Sequence, residues 1–433
     1  MPLQRAIRLP HATAMVVGTI IGASIFVQPS EVTGQVPTVG GVLLVWLLAG
    51  LLTLIGSLVC AELASTFTRT GGVYVYLSEA FHPAVGFLWG WAMLLTMHSG
   101  IIAAIATVFA RYTGFFLPLG LWGGRTVAIG VIVLLSAVNY LGVRHGSRLQ
   151  TLFTAGKLLA VVAVVGLGFG LGGSVPEHFV GASSGGGVTV TGFVAAMVAG
   201  LFAYGGWHMV TYSSEETVQP ERTIPRALLY GTVMVTLAYM AMTAVYLYVM
   251  PLDQVAASTR VAADLADTLL GSGGAAAMSA VVMFSTFGGL AGIILAGPRV
   301  YYAMANDGLL FRWFGVVHPR YGTPHRAIVL QAVVSALLVA TGTFRALFTR
   351  VVYTEWIFFA LVALGLIVLR RRPGVQRQYS IPLYPVTPLL FIVASLFIAA
   401  WTVQADPADS VIGLGVVLLG LPVYFVSFGR SAR

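Results

Sequence analysis

Apolar runs of about twenty residues recur along the whole chain, and short loops between them collect most of the charge. A helix of roughly 20 apolar residues crosses the hydrocarbon core of a bilayer. The short alternating segments of a membrane β-barrel are absent. The pattern predicts about twelve membrane helices, over residues 12–34, 40–66, 84–117, 125–141, 147–172, 190–218, 227–250, 274–305, 326–342, 351–370, 386–403 and 410–428. The expected fold class is an all-α polytopic membrane protein.

Two of these spans carry helix breakers at their centres. The first reads GTIIGASIFVQPSEVTG, with Gly18, Gly22, Ala23 and Ser24 in mid-span. The sixth reads GLFAYGGWHMVTYSSEE, with Gly205 and Gly206 adjacent. A glycine pair inside a helix costs on the order of 2 kcal/mol relative to alanine. In lipid, unwound backbone survives only where it is buried in protein or lines a cavity. Small residues spaced by four also allow close helix packing, and Gly18 with Gly22 fits that pattern. Breaks in both span one and span six favour another arrangement: two five-helix halves of opposite orientation around a midplane site. Residues 1–172 and 190–372 would be those halves, and 373–433 would add two helices.

The polarity of such breaks suggests a ligand. Span one would leave carbonyls near Ile21 and amides near Ser24, and span six carbonyls at Phe202 and Ala203 and amides near Gly206. Carbonyl ends attract an ammonium, and helix N-termini attract a carboxylate. A ligand with both charges on adjacent atoms is an α-amino acid.

Composition agrees with a membrane protein, since 58% of the 433 residues are hydrophobic and 9% charged. The net charge of +9 could suggest a nucleic-acid partner, but the arginines lie in short loops rather than on one face. With the N-terminus placed inside, 17 of the 22 arginines fall on the inner side. Only Arg111, Arg125, Arg260, Arg345 and Arg350 fall outside. This positive-inside bias predicts a multi-pass cell-membrane protein with both termini cytoplasmic. The lipid bilayer is then the expected partner, no obligatory protein partner is evident, and a monomer is expected. The single cysteine, Cys60, excludes an intrachain disulfide and a cysteine metal cluster. The stretch SSGGGVTVTG from Ser183 lacks the lysine of a phosphate loop and reads as a flexible outer loop. No HExxH occurs, and no cofactor, metal or enzymatic activity is expected.

The chain has one lysine, Lys157, inside the apolar run TLFTAGKLLAVVAVVGLG. Lysine differs from arginine in being a compact point charge that can shed its proton. A lysine about ten residues into a span, roughly 15 Å of rise, snorkels to the interface only with difficulty. A lone intramembrane lysine also suits a retinal-type photoprotein, but that reading expects seven spans with the lysine on the last. Four carboxylates, Glu62, Glu79, Glu215 and Glu216, sit at the inner ends of spans. Arg69 and Arg144 are the expected partners of the first two, and Arg222 and Arg226 neighbour the second two. Glu355 is placed near the outer surface at the start of span ten, without a role.

Four motifs, GTIIGASIF, CAELASTFTRTGGVYVYLSEAF, LFAYGGWHMVTYSSEETVQPERTIPRAL and FSTFGGLAGIILAGPRVYYAMANDGLL, occur in order in spans one, two, six and eight. In these the chain resembles the amino acid–polyamine–organocation superfamily, especially its L-amino acid transporter group. The resemblance implies a LeuT-like five-plus-five inverted repeat with broken helices one and six, two further C-terminal helices, and alternating-access transport of amino acids. It implies substrate contacts at Thr19, Ile20, Gly22, Ala23 and Ser24, and at Phe202, Ala203, Tyr204, Gly205 and His208, with Phe202 as an aromatic gate. It also implies that Lys157 replaces a sodium ion, its ammonium reaching span-one carbonyls and a span-eight hydroxyl, here Ser285. Two positions depart from the family pattern: Ser24 where a glycine is common, and His208 where relatives taking large neutral substrates carry a polar amide. The implied function is sodium-independent exchange or proton-coupled uptake of small or neutral L-amino acids. A cationic amino acid or polyamine permease is the alternative, disfavoured because no midplane carboxylate is evident in the sequence.

Overall fold

The computed structural model describes residues 5, 7–172, 187–271, 273–342, 344–374 and 376–428, with side chains left out at 143–149 and 344–352. Glu177, the first residues of the loop from Ser183, Arg430 and Arg433 lie outside the described residues, as do the side chains of Arg144, Arg148, Arg345 and Arg350. The described residues are helical almost throughout. Among the described residues, eleven helices are long and apolar enough to cross a membrane, and a shorter apolar helix, His325–Thr341, has the length of a minimal crossing. These are the twelve expected spans, in order.

Local chemistry sets the helix starts. The Thr38 hydroxyl accepts the Gly41 N–H (3.2 Å) ahead of span two, Val39–Thr66. Thr189 does the same for Gly192 (3.0 Å) ahead of span six. His82 Nδ1 accepts the Ala84 N–H (3.1 Å), with Pro83 in the first turn of span three. Each satisfies an amide that no preceding turn can reach. Span seven, Pro220–Val249, begins seven residues before its expected start at 227. Pro220 fits a first turn, where its missing N–H costs nothing. Short helices at Val73–Ala80, Leu252–Ala257 and Val261–Leu270 occupy stretches read from sequence as loops. They are too short and too interrupted to register as spans.

Burial separates inner spans from outer ones. Within a hydrophobic 18-residue stretch of each span, 83% and 72% of residues are buried in spans three and eight, against 28% in spans four, five and twelve. The outer faces carry Leu134, Leu159, Val162, Leu237 and Val393, all exposed and apolar. Such a belt suits hydrocarbon and would be an aggregation surface in water.

Ion pairs tie the helix ends on the side of the termini. Glu62, at the end of span two, is gripped by Arg370 at the end of span ten, through Nε (2.6 Å) and Nη2 (2.5 Å). It also accepts the Ile381 N–H (2.7 Å), and Arg377 lies 3.9 Å away. Its partner is therefore not Arg69, which instead reaches Glu79 (3.1 Å) and Asp307 (3.7 Å) from a half-exposed loop. Glu216 turns to Arg299 of span eight (2.8 and 3.1 Å) rather than to its sequence neighbours Arg222 and Arg226. Glu215 accepts the Thr70 N–H (3.2 Å). The N-terminal arm joins the same layer, with Ile7 N–H bonded to the Glu216 carbonyl and Val218 N–H to that of Ile7, both 2.9 Å.

Removing one partner of a buried, hydrogen-bonded pair leaves an uncompensated charge and typically costs about 3–5 kcal/mol. Glu62→Ala should therefore lower the thermal unfolding temperature in detergent clearly more than Glu79→Ala, whose pair is exposed. Equal melting of the two variants would show that the buried pair is not structural.

Candidate functional site

Both expected breaks are present. Span one is a helix over Leu9–Ile20, irregular at 21–23, a 3-10 turn over Ser24–Phe26 and a second helix over Gln28–Gln35. Span six is a helix over Val190–Ala203, a turn at 204–206 and a tighter helix over Trp207–Glu216. The two glycines of the sixth break do different work. Gly206 has φ 97°, a left-handed conformation that costs other residues roughly 1–2 kcal/mol. Gly205 faces the space between the helices, where an added Cβ would meet only the Phe202 carbonyl, at 3.1 Å. In span one, Gly18 is a packing glycine, since a Cβ there would strike Thr154 and Gln150 of span five at 2.2 and 2.6 Å. Gly22 opens on space, with no atom closer than 4.0 Å to its Cβ position. The packing and the unwinding readings of this GxxxG motif each hold for one of its glycines.

Most carbonyls freed by the breaks have a donor; those of Thr19, Tyr204 and Gly205 have none among the described residues. Lys157 Nζ, fully buried, donates to Gly18 O (2.9 Å) and Ile21 O (2.7 Å). The Ser285 hydroxyl donates to Gly22 O (3.2 Å), so it braces the same strand of backbone beside the lysine. Tyr246 and Tyr112 reach Ile25 O (3.4 Å) and Phe26 O (3.1 Å). The hydroxyl of Tyr239, on span seven, stands 2.9 Å from Ile20 O and 2.9 Å from Ala203 O. One proton thus serves the C-terminal ends of both half-helices. Phe202 O takes the Gly205 N–H (2.9 Å). The amides are different. Among the described residues, no backbone carbonyl accepts the N–H of Ala23, Ser24, Ile25, Gly206, Trp207 or His208. The breaks therefore present more unfilled donors than unfilled acceptors, which suits an anionic group.

A cavity lies between the broken spans, with roughly 510 Å³ of free space including its open mouth. Six residues anticipated from the sequence line it: Thr19, Ile20, Gly22, Ser24, Phe202 and Gly205. Ala23, Ala203, Tyr204 and His208 are placed outside its lining. Tyr204 donates to Trp46 O (3.2 Å) and packs on Tyr239, ring centroids 5.0 Å apart. The buried His208 ring sits among Trp89, Trp207, Tyr212 and Phe359, at 4.9–5.8 Å between centroids, and its Nδ1 has no hydrogen-bond partner among the described residues. Thr19 links the two breaks, its hydroxyl lying 3.2 Å from Gly206 O as well as 2.8 Å from Met15 O.

The remaining walls were not anticipated. Ile101 and Ile105 come from span three and Ile293 from span eight. An apolar residue lining a cavity has the same sequence signature as one packed in a core, so these gave no signal. Span ten supplies Glu355, Trp356 and Phe359. Here a signal existed, a carboxylate in an apolar run, and the expectation that the cavity has no carboxylate is corrected. The helix starts at Phe344 instead of 351, which carries Glu355 eleven residues in, about 16 Å along the axis.

Two outcomes follow from this geometry. Tyr239→Phe keeps the ring and removes the shared donor, and should cost about 1–3 kcal/mol of stability, the desolvation penalty of an orphaned acceptor. A variant melting like the parent would mean that water or rearrangement replaces the hydroxyl. Gly206→Ala should destabilise more than Gly205→Ala, which should instead weaken ligand binding by narrowing the cavity. Melting temperatures and ligand titrations of the two variants separate strain from occlusion, and the reverse ranking would refute the assignment.

A family model described as amino acid permease matches residues 7–426. The chain is similar to a serine/threonine exchanger of Bacillus subtilis (strain 168), 32% identical over 434 residues, covering 99% of this chain and 98% of that one. It is 33% identical over 437 residues to the human large neutral amino acids transporter small subunit 2, covering 98% and 80%. With the human cystine/glutamate transporter it shares 30% identity over 431 residues, covering 98% and 85%.

Proposed function

The chain belongs to the amino acid permease family, and we propose that it is a sodium-independent exchanger of small or neutral L-amino acids working by alternating access. That it is a multi-pass membrane transporter of amino acids, and not an enzyme, follows from the family. The finer reading is supported chiefly by Lys157, whose buried ammonium donates to Gly18 O and Ile21 O at 2.9 and 2.7 Å. A fixed cation at that place supplies the charge that a bound sodium ion would bring to carbonyls of an unwound helix. The open amides of the two breaks receive the substrate carboxylate, and the cavity beside them receives its side chain. Relatives named for exchange and for neutral amino acids fit this reading.

The repeat organisation, 1–172 against 190–372 with two further helices, is proposed on the placement of the breaks in spans one and six. The arginine bias supports a cell-membrane location with both termini cytoplasmic. The ion pairs of Glu62, Glu216 and Arg69 would then form a closed inner layer. One relative is named a small subunit, and a chain that works alone is part of the present proposal.

Proteoliposomes containing the purified chain test these points together. Uptake of L-serine should require amino acid inside the vesicles and should be unchanged when choline replaces sodium. Equal uptake into empty vesicles would overturn exchange, and a sodium requirement would overturn the role of Lys157. Lys157→Ala and Lys157→Arg should each slow exchange by about tenfold or more, the weight of one charged hydrogen bond. Arginine preserves charge but not the compact ammonium, so an arginine variant as fast as the parent would remove the argument from shape.

A further inference from the structure

Glu355 is buried in the wall of the cavity, 7% exposed, and no ion pair among the described residues involves it. A carboxylate removed from water without a partner is costly. His208, whose Nδ1 has no hydrogen-bond partner among the described residues, lies outside the cavity lining, and the lysine and the inner arginines are committed elsewhere. Lys157 holds the span-one carbonyls, Arg299 holds Glu216 and Arg370 holds Glu62. Compensation for Glu355 is then left to a proton or to a cation that arrives with the ligand. Its surroundings narrow the chemistry of that partner. Trp356 and Phe359 share the same wall, ring centroids 5.7 Å apart at 88°, and Trp207 lies against Phe359 at 5.0 Å. Aromatic faces attract cations and offer little to anions. A carboxylate among aromatic rings is a receptor for an ammonium or a guanidinium.

We propose that Glu355 is the side-chain selectivity residue of this cavity, and that the chain also binds and exchanges amino acids bearing a cationic side chain. This rests on the reading of the cavity as an amino acid site, and widens its substrates from neutral to cationic ones. The broken spans take the groups common to all α-amino acids. Span ten supplies a separate wall, so the distal end of the side chain is read by Glu355 and the rings next to it. A neutral side chain leaves the carboxylate unpaired, while a cationic one compensates it.

Matched ligand pairs isolate the charge: L-arginine against L-citrulline, and L-lysine against L-norleucine. The full chain, reconstituted in proteoliposomes preloaded with labelled L-serine, should favour the cationic member of each pair by about tenfold or more. In Glu355→Gln that preference should fall to near one. In Glu355→Asp, which keeps the charge, it should remain well above that of the glutamine variant. A parent that exchanges neutral amino acids but does not prefer arginine to citrulline overturns the proposal and leaves the transporter reading intact. A parent that exchanges no amino acid fails that reading and the proposal with it. An unchanged preference in Glu355→Gln, even with an altered pH dependence, would make the carboxylate a proton carrier and refute the selectivity role. Should the glutamine variant not fold, an aspartate variant without cationic preference overturns the proposal equally.

Discussion

An unwound peptide in hydrocarbon can place its hydrogen bonds only on other protein groups. The rest of this structure is arranged around that constraint. Span one loses its helical ladder between Ile20 and Ser24, and the carbonyls released there are met by Lys157, Tyr239 and Ser285 from spans five, seven and eight. Those donors fix where the three spans stand. They also explain why the sequence tolerates an ammonium and several buried hydroxyls where apolar packing would otherwise be cheaper. Tyr239 extends the network to span six through Ala203 O, so the two breaks share one support.

The same network gives the site its polarity. Protein donors fill most carbonyl ends of the half-helices, while among the described residues the amides of 23–25 and 206–208 lack backbone partners. Simple symmetry between acceptor and donor ends, as expected for a zwitterion held equally at both charges, does not hold. In the proposed binding mode the anionic end of a substrate would meet unfilled donors. Its ammonium would largely share carbonyls that already accept one hydrogen bond, which a carbonyl with two lone pairs allows. On the side of the termini, buried pairs such as Glu216–Arg299 and Glu62–Arg370 join helices that must separate if the cavity is to open there. Breaking several such pairs at once is costly, so a transporter using them needs substrate binding to offset that cost.

The sequence by itself determined the class, the number of spans, their order, and the two breaks. Spans are encoded locally, in the length of apolar runs, and breaks in glycines that no lipid-facing helix needs. It also singled out Lys157, because one lysine among 22 arginines is a choice that composition does not explain. What only the tertiary structure decided concerns pairing across spans. Glu62 finds Arg370 some three hundred residues away, and nothing near either residue announces the other. The family resemblance puts His208 at the site, yet the helix turn directs its ring into an aromatic cluster outside the cavity lining. Glu355 lies deep because its helix begins at Phe344, seven residues before the apolar run that marks the span, and the sequence pattern does not carry that start. Periodicity and composition fix what each segment is, whereas the facing of one helix to another is a property of all of them packed together.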